Sequence, residues 1–212
     1  MRLSQPRLPQ PPVLLITDRN QAHAPLDDVL AAAFAAGCRW ASVREKDLTP
    51  DEQVALAKRL LRVARERQAT LTLHGDPALA RAAGVDGVHL SAGADAAAAR
   101  NILGQGALIG ISVHSVEEAQ KLDPALIDYA IAGPAYETAS KPGYGPALGA
   151  IGIGRMVAAA PVAIVAVGGI TPASVAELRA AGAAGVAVMG GIMRAQDPAG
   201  AMERLIEAVL AR

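Results

Sequence analysis

Cationic, imidazole and hydroxyl side chains recur in this sequence directly behind short apolar runs. Arg44 and Lys46 follow "WASV", His74 and Asp76 follow "TLTL", His89 and Ser91 close "GVHL", and Ser112 and His114 end "LIGISVH". Two cations one residue apart, directly behind a buried run, suit an anionic ligand better than the plainer reading of Arg44 and Lys46 as surface ion pairs with Glu45 and Asp47. His114 is the candidate acid–base group, because imidazole gives and takes protons near neutral pH. His74 ends an apolar run and could touch a ligand. His89, inside such a run, reads as a core residue, and His23 as a solvated loop residue. "IAGPAYETASKPGYG" passes from an apolar run into small and hydroxyl side chains around Lys141, so Thr138, Ala139, Ser140 and Lys141 form either a plain turn or a cradle for an anion. "GGI" occurs twice, at 168–170 and 190–192. Gly168, Gly169, Gly190 and Gly191 lack a Cβ, so their backbone N–H groups can approach a phosphate; the plainer reading is a pair of tight turns.

These residues need elements to hold them. The apolar runs are "VLLIT" (13–17), "RWASV" (39–43), "TLTL" (70–73), "GVHL" (87–90), "LIGIS" (108–112), "YAIA" (129–132), "AIVAV" (163–167) and "GVAVM" (185–189). They are continuously apolar instead of alternating, as expected of parallel strands covered on both faces. Helical patterns lie between them. Thr49 with Pro50, Ser115, and Thr171 are set to start helices, while Gly37, Gly84 and Gly182 stand near helix ends. Strands joined by helical crossovers close, at a count of eight, into an α/β fold, a single (β/α)8 TIM barrel. An open doubly wound sheet is the competing architecture. The Pro-rich opening, residues 1–12, reads as a mobile lead-in and residues 13–212 as the barrel. In such barrels the active site lies at the C-terminal ends of the strands, with phosphate commonly bound after strands seven and eight. Every candidate above falls at one of those ends.

Composition narrows the partners. Twenty basic residues balance twenty acidic ones, so the positive field that non-specific nucleic-acid binding needs is missing. Hydrophobic residues make up 52% of the chain but aromatics only 2%, so the core must be built from aliphatic side chains. No apolar stretch is long enough for a membrane span, and the single cysteine, Cys38, leaves no internal disulfide. The expectation is a cytoplasmic enzyme with a small-molecule partner; assembly into a homo-oligomer is compatible with the sequence.

"VREK", "GVHL", "GISVHS", "GPAYETASK", "VAVGGITP" and "GVAVMGGI", in this order, resemble the thiamine phosphate synthase and thiazole tautomerase superfamily over nearly the whole chain. The resemblance implies that Thr138, Ala139, Ser140 and Lys141 hold a thiazole carboxylate and a diphosphate, and that Gly168, Gly169, Met189 and Gly190 cradle a phosphate. It gives His114 the acid–base role of the tautomerases. It also marks departures. The glutamine of the family's glutamine-x-arginine-x-lysine motif is Ser42 here, the asparagine–aspartate pair falls on His74 and Gly75, and the segment after "GVHL" falls on Ala92, Gly93 and Ala94. Both magnesium carboxylates of the synthases are therefore absent, and Asp76 and Asp95, one residue away, could replace them only if the loops shift.

The resulting expectation is a metal-independent thiazole tautomerase with no cofactor, acting on a phosphorylated, carboxylated thiazole. The alternatives are a thiamine phosphate synthase, the one case in which magnesium would be needed, and a silent barrel that binds a thiamine precursor. A Schiff-base aldolase using Lys46 or Lys141 is a weaker reading.

Overall fold

A computed structural model of the chain describes residues 8–138 and 147–211. The elements run β1 (Val13–Ile16), α1 (Leu26–Ala35), β2 (Trp40–Val43), α2 (Pro50–Glu66), β3 (Thr70–His74), α3 (Pro77–Ala83), β4 (Gly87–Leu90) and α4 (Ala96–Leu103). They continue with β5 (Leu108–Val113), α5 (Val116–Gln120), β6 (Tyr129–Ala132), α6 (Gly149–Ala159), β7 (Ala163–Val167), α7 (Pro172–Ala180), β8 (Gly185–Val188), α8 (Gly190–Met193) and α9 (Pro198–Leu210). Each strand lies within one residue of its apolar run at either end. The strands pair in chain order and β1 returns to β8, Val13 opposite Val186 and Leu15 opposite Val188. That pairing excludes the open sheet: the fold is a closed (β/α)8 barrel.

Helix starts follow the side-chain chemistry. Glu52 N–H donates to the Thr49 hydroxyl while the Glu52 carboxylate accepts from Thr49 N–H, a reciprocal cap that starts α2 behind Pro50. Ser115 caps α5 through Glu118 N–H at 3.1 Å. At α7, Thr171 holds the cap position, but the bond that closes the turn runs from its N–H to the Ser174 hydroxyl at 3.0 Å. Asp76 and Asp95 cap α3 and α4, accepting from Ala78 N–H at 2.7 Å and Ala98 N–H at 2.9 Å.

Two carboxylates tie the strands at the opposite end of the barrel. Asp86, just before β4, accepts from Leu71 N–H on β3 and pairs with Arg65 of α2. Asp128, just before β6, accepts from Ile109 N–H on β5 and pairs with Arg100 of α4 at 2.9 Å. Arg100 is only 5% exposed and also donates to the Leu126 and Ala107 carbonyls. A buried guanidinium needs such partners, since an unpaired one would be expelled to water. The lead-in is not free throughout: Leu8 is buried with the barrel interior, and Pro12 O accepts from Val186 N–H.

Inside the barrel, Trp40 and Tyr129 meet edge to face with ring centroids 4.8 Å apart, packed among Leu14, Ile131, Val165 and Ala187. Gly110 on β5 makes room for the tyrosine, since a Cβ there would lie 2.1 Å from Tyr129 Cζ. The ring cannot swing away because the closed barrel holds it on every side. Gly110→Ala should therefore destabilise the fold by about 1–3 kcal/mol through overpacking. That corresponds to a Tm loss of roughly 2–4 °C for each kcal/mol in a chain of this size. Thermal unfolding will check this, and adding Tyr129→Leu should recover part of the loss. An unchanged Tm for Gly110→Ala would contradict the packing described.

Candidate active site

The C-terminal ends of the strands open into a cavity of about 410 Å³. Arg44, His74, His89, Ser112, His114 and Thr138 line it together with Gly168, Gly169, Met189, Gly190 and Gly191. Lys46 does not line it; it stands exposed at the rim. There partial burial, and then the nearby Arg44 charge, hold its ammonium below the ordinary lysine value. Ala139, Ser140 and Lys141 lie outside the described residues.

The alternation of "REKD" explains the split. Arg44 enters the cavity, whereas Glu45 turns outward beneath the loop after β1 and is 4% exposed. There Glu45 accepts from the Thr17 hydroxyl at 2.7 Å and from Arg19 N–H at 3.0 Å. Thr17 Oγ1 in turn accepts from Arg44 N–H at 2.9 Å, so this network fixes the backbone that carries Arg44. Arg19 reaches Asp47 at 2.6 Å and lowers that carboxyl below the usual carboxylate range. The surface ion pairs thus form with Arg19, and Arg44 and Lys46 are not consumed by Glu45 and Asp47.

On the floor, His74 and His89 are register partners on β3 and β4, with ring centroids 4.9 Å apart. His89 Nε2 lies 2.9 Å from Ser112 Oγ on β5. His89 was read from sequence as core, and it is 1% exposed, yet it also forms part of the cavity lining. Burial, then the His74 and Lys46 charges, hold its imidazole well below the ordinary histidine value and so keep it neutral. His114 sits at the rim, exposed, its backbone N–H held by the Glu118 carboxylate at 2.7 Å.

The glycine turns close the far wall. Gly168 and Gly169 both have positive φ, +100° and +62°, which favours glycine over any side chain. They also pack against the loop after β6: Ala135 N–H donates to Val167 O and Tyr136 N–H to Gly168 O. A Cβ on Gly169 would come within 2.5 Å of Glu137 O. Tyr136 donates its hydroxyl to Glu177 of α7, and partial burial together with that carboxylate raises the phenol to about 12. Gly190 and Gly191 form the first turn of α8, whose leading N–H groups have no intrahelical acceptor. Sequence reasoning missed Arg194 and Glu137, which also line the cavity. Arg194 was findable, because it falls one helical turn after Gly190.

A (β/α)8 barrel with cationic, imidazole and hydroxyl side chains gathered round a cavity at the strands' C-terminal ends is thus the class of protein. Residues 13–192 match the family described as thiamine monophosphate synthase, and the chain belongs to that family. It is 38% identical to the thiamine-phosphate synthase of Salinispora tropica (strain ATCC BAA-916 / DSM 44818 / JCM 13857 / NBRC 105044 / CNB-440), covering 92% of this chain and 95% of that one. It is 41% identical to the thiamine biosynthesis bifunctional protein ThiM/ThiE of Symbiobacterium thermophilum (strain DSM 24528 / JCM 14929 / IAM 14863 / T) over 86% of this chain, which spans only 38% of that longer protein. Among solved structures, thiamine phosphate pyrophosphorylase from Pyrococcus furiosus superposes with a TM-score of 0.82 at 28% identity, covering 94% of this chain and 96% of that one. The Salinispora relative carries the synthase name, and none of the three names points to the tautomerase branch expected from the sequence.

The neutral His89 has a measurable consequence. Unfolded, the imidazole takes a proton below about pH 6.5, whereas in the folded barrel it stays neutral well below that value. The unfolded state then binds more protons, so stability falls as the pH drops below about 6.5, by at most about 1.4 kcal/mol per pH unit. Denaturant midpoints at descending pH should show this loss in the wild type and a shallower one in His89→Gln. Identical slopes would mean that His89 is charged in the folded protein.

Proposed function

We propose that this chain is an enzyme of thiamine biosynthesis that takes a phosphorylated thiazole into the cavity. Of the reactions in reach, we favour that of a thiamine phosphate synthase, joining the thiazole phosphate to hydroxymethylpyrimidine diphosphate with release of diphosphate. The observation that carries this is one cavity holding Arg44 and Arg194 together with the glycine turns after β7 and β8, within a family whose relatives of matching length are named synthases. In this reading the N–H groups of Gly168, Gly169, Gly190 and Gly191 hold the thiazole phosphate, with Met189 against the ring. Arg44 and Thr138 face the second anion with Lys46 at the rim, and Ala139, Ser140 and Lys141, outside the described residues, keep the anion-holding role that the family resemblance implies. Cations and N–H donors stabilise the charge that grows on a departing diphosphate, and closing out water strengthens them.

Magnesium, which the family resemblance implies for this reaction, does not fit the residues present. Gly75 and Ala94 stand at the positions of the metal carboxylates and offer no side-chain oxygen. Asp76 and Asp95 each use an oxygen to cap a helix, α3 and α4. Among the described residues no cluster of three His, Cys, Asp or Glu is placed to hold a metal ion.

That misfit is what favours a second reading, the thiazole tautomerase. There His114, at the rim, would take the proton from the ring carbon bearing the carboxylate and return one to the exocyclic carbon, leaving an aromatic thiazole.

Purified protein should be offered both thiamine halves, with and without magnesium, and separately the unaromatised thiazole carboxylate phosphate with chelator. Formation of thiamine phosphate supports the synthase reading. Its absence, with accelerated aromatisation, replaces that reading by the second, and neither product at rates above buffer sinks both. In the tautomerase case His114→Ala should lower the rate by about a hundred- to ten-thousandfold with ligand affinity nearly kept.

The phosphate cradle has its own test. A Cβ on Gly191 meets nothing within 4 Å, so Gly191→Ala should leave the fold intact, or firm it slightly as alanine does in a helix. The methyl group should nevertheless crowd the phosphate and weaken binding roughly tenfold, the cost of about one charge-assisted hydrogen bond. Calorimetric titration of the thiazole phosphate beside a melting curve separates the two effects. Unchanged affinity would remove Gly191 from the cradle.

A further inference from the structure

The contact between His89 and Ser112 has a direction that the surrounding burial decides. His89 Nε2 lies 2.9 Å from Ser112 Oγ, and His89 Nδ1 is buried with no hydrogen-bond partner. The ring is neutral, so one nitrogen carries the hydrogen. Were it on Nδ1, a buried N–H would lack an acceptor, which is rarer and costlier in folded proteins than an acceptor left short of a donor. The hydrogen therefore belongs on Nε2, and Nε2–H donates to Ser112 Oγ. The serine hydroxyl, its oxygen engaged from below, is left to turn its own hydrogen elsewhere, and Ser112 is half-buried on the cavity wall.

We propose that His89 is a positioning residue: it fixes Ser112 as a hydrogen-bond donor to an anionic oxygen, phosphate or carboxylate, of the bound substrate. Tyr129 lies beneath it with ring centroids 5.7 Å apart and His74 beside it at 4.9 Å, so the imidazole is wedged and cannot turn to present Nδ1 instead. A hydroxyl free to rotate would offer the ligand a lone pair as readily as a hydrogen. One that already accepts from below greets an anion with its hydrogen and avoids the repulsion of two oxygen lone pairs.

The proposal rests on the reading that the cavity takes an anion, and the test keeps the two apart. In free protein labelled with ¹⁵N-histidine, the His89 signal, identified by its loss in His89→Gln, should be that of a neutral Nε2–H tautomer from pH 6 to 8. An Nδ1–H tautomer, or a ring that protonates in that range, overturns the proposal before any ligand is added. Titration with inorganic diphosphate then reads the consequence. His89→Leu should weaken binding about tenfold, as expected for one hydrogen bond to a charged group. His89→Gln should restore most of it, since its side-chain N–H can reach Ser112 in place of Nε2–H. In a Ser112→Ala background, His89→Leu should cost nothing further; an equal loss there would make His89 merely structural and overturn the proposal. If His89→Leu does not fold, His89→Gln and His89→Asn carry the comparison, because the shorter amide cannot reach and should behave as the loss. Wild type that binds neither diphosphate nor phosphate would remove the anion reading, while the tautomer spectrum still decides the state of His89.

Discussion

A closed barrel of parallel strands must fill its own interior, and this one does so with scarcely any aromatic material. The edge-to-face pair of Trp40 and Tyr129 occupies the middle of the barrel, and Gly110 is small because the tyrosine ring needs its space. Above that pair the filling changes from apolar to polar. His74, His89 and Ser112 sit directly over the aromatic layer and form the floor of the cavity. His89, packed against the Tyr129 ring and 1% exposed, is the buried member of that floor, and its burial is what keeps it neutral. The cations Arg44 and Arg194 line the cavity above a floor in which the buried His89 is neutral.

The barrel separates its two ends by the kind of bond each uses. At the N-terminal end, Asp86 and Asp128 each accept from a backbone N–H of the preceding strand, Leu71 and Ile109, and each pair with an arginine from a helix. Those networks run between groups of the fold itself and face no cavity. At the C-terminal end the polar groups converge on open space: Arg44, Arg194, His114 and the glycine N–H groups face the cavity. The Thr17–Glu45–Arg19 network stands at this same end, holding the Arg44 backbone while remaining outside the cavity itself.

Much of this was legible in the sequence. Each strand announced itself as a continuous apolar run, because strands covered by helices on both faces need no alternation. The site was legible as polar residues just past those runs, and ten of the proposed residues do line one cavity. What failed to show was side-chain direction and tertiary partnership. Lys46 looked equivalent to Arg44 but ends at the rim. Glu45 looked like a surface charge, and its burial depends on Thr17 and Arg19, more than twenty residues away along the chain. His89 could be placed on a strand but not in contact with Ser112, since that contact depends on register between β4 and β5. The leaning toward a tautomerase arose from what had been lost after β3 and β4, and relatives that carry the synthase name pull the other way.

Trp40 is the only tryptophan of the chain. It is buried against Tyr129, which is itself stacked below His89. The protein thus carries a single indole chromophore two rings beneath its cavity floor. An indole emission signal from this protein therefore comes from one buried site, in ring contact through Tyr129 with the cavity floor, with no competing tryptophan to subtract.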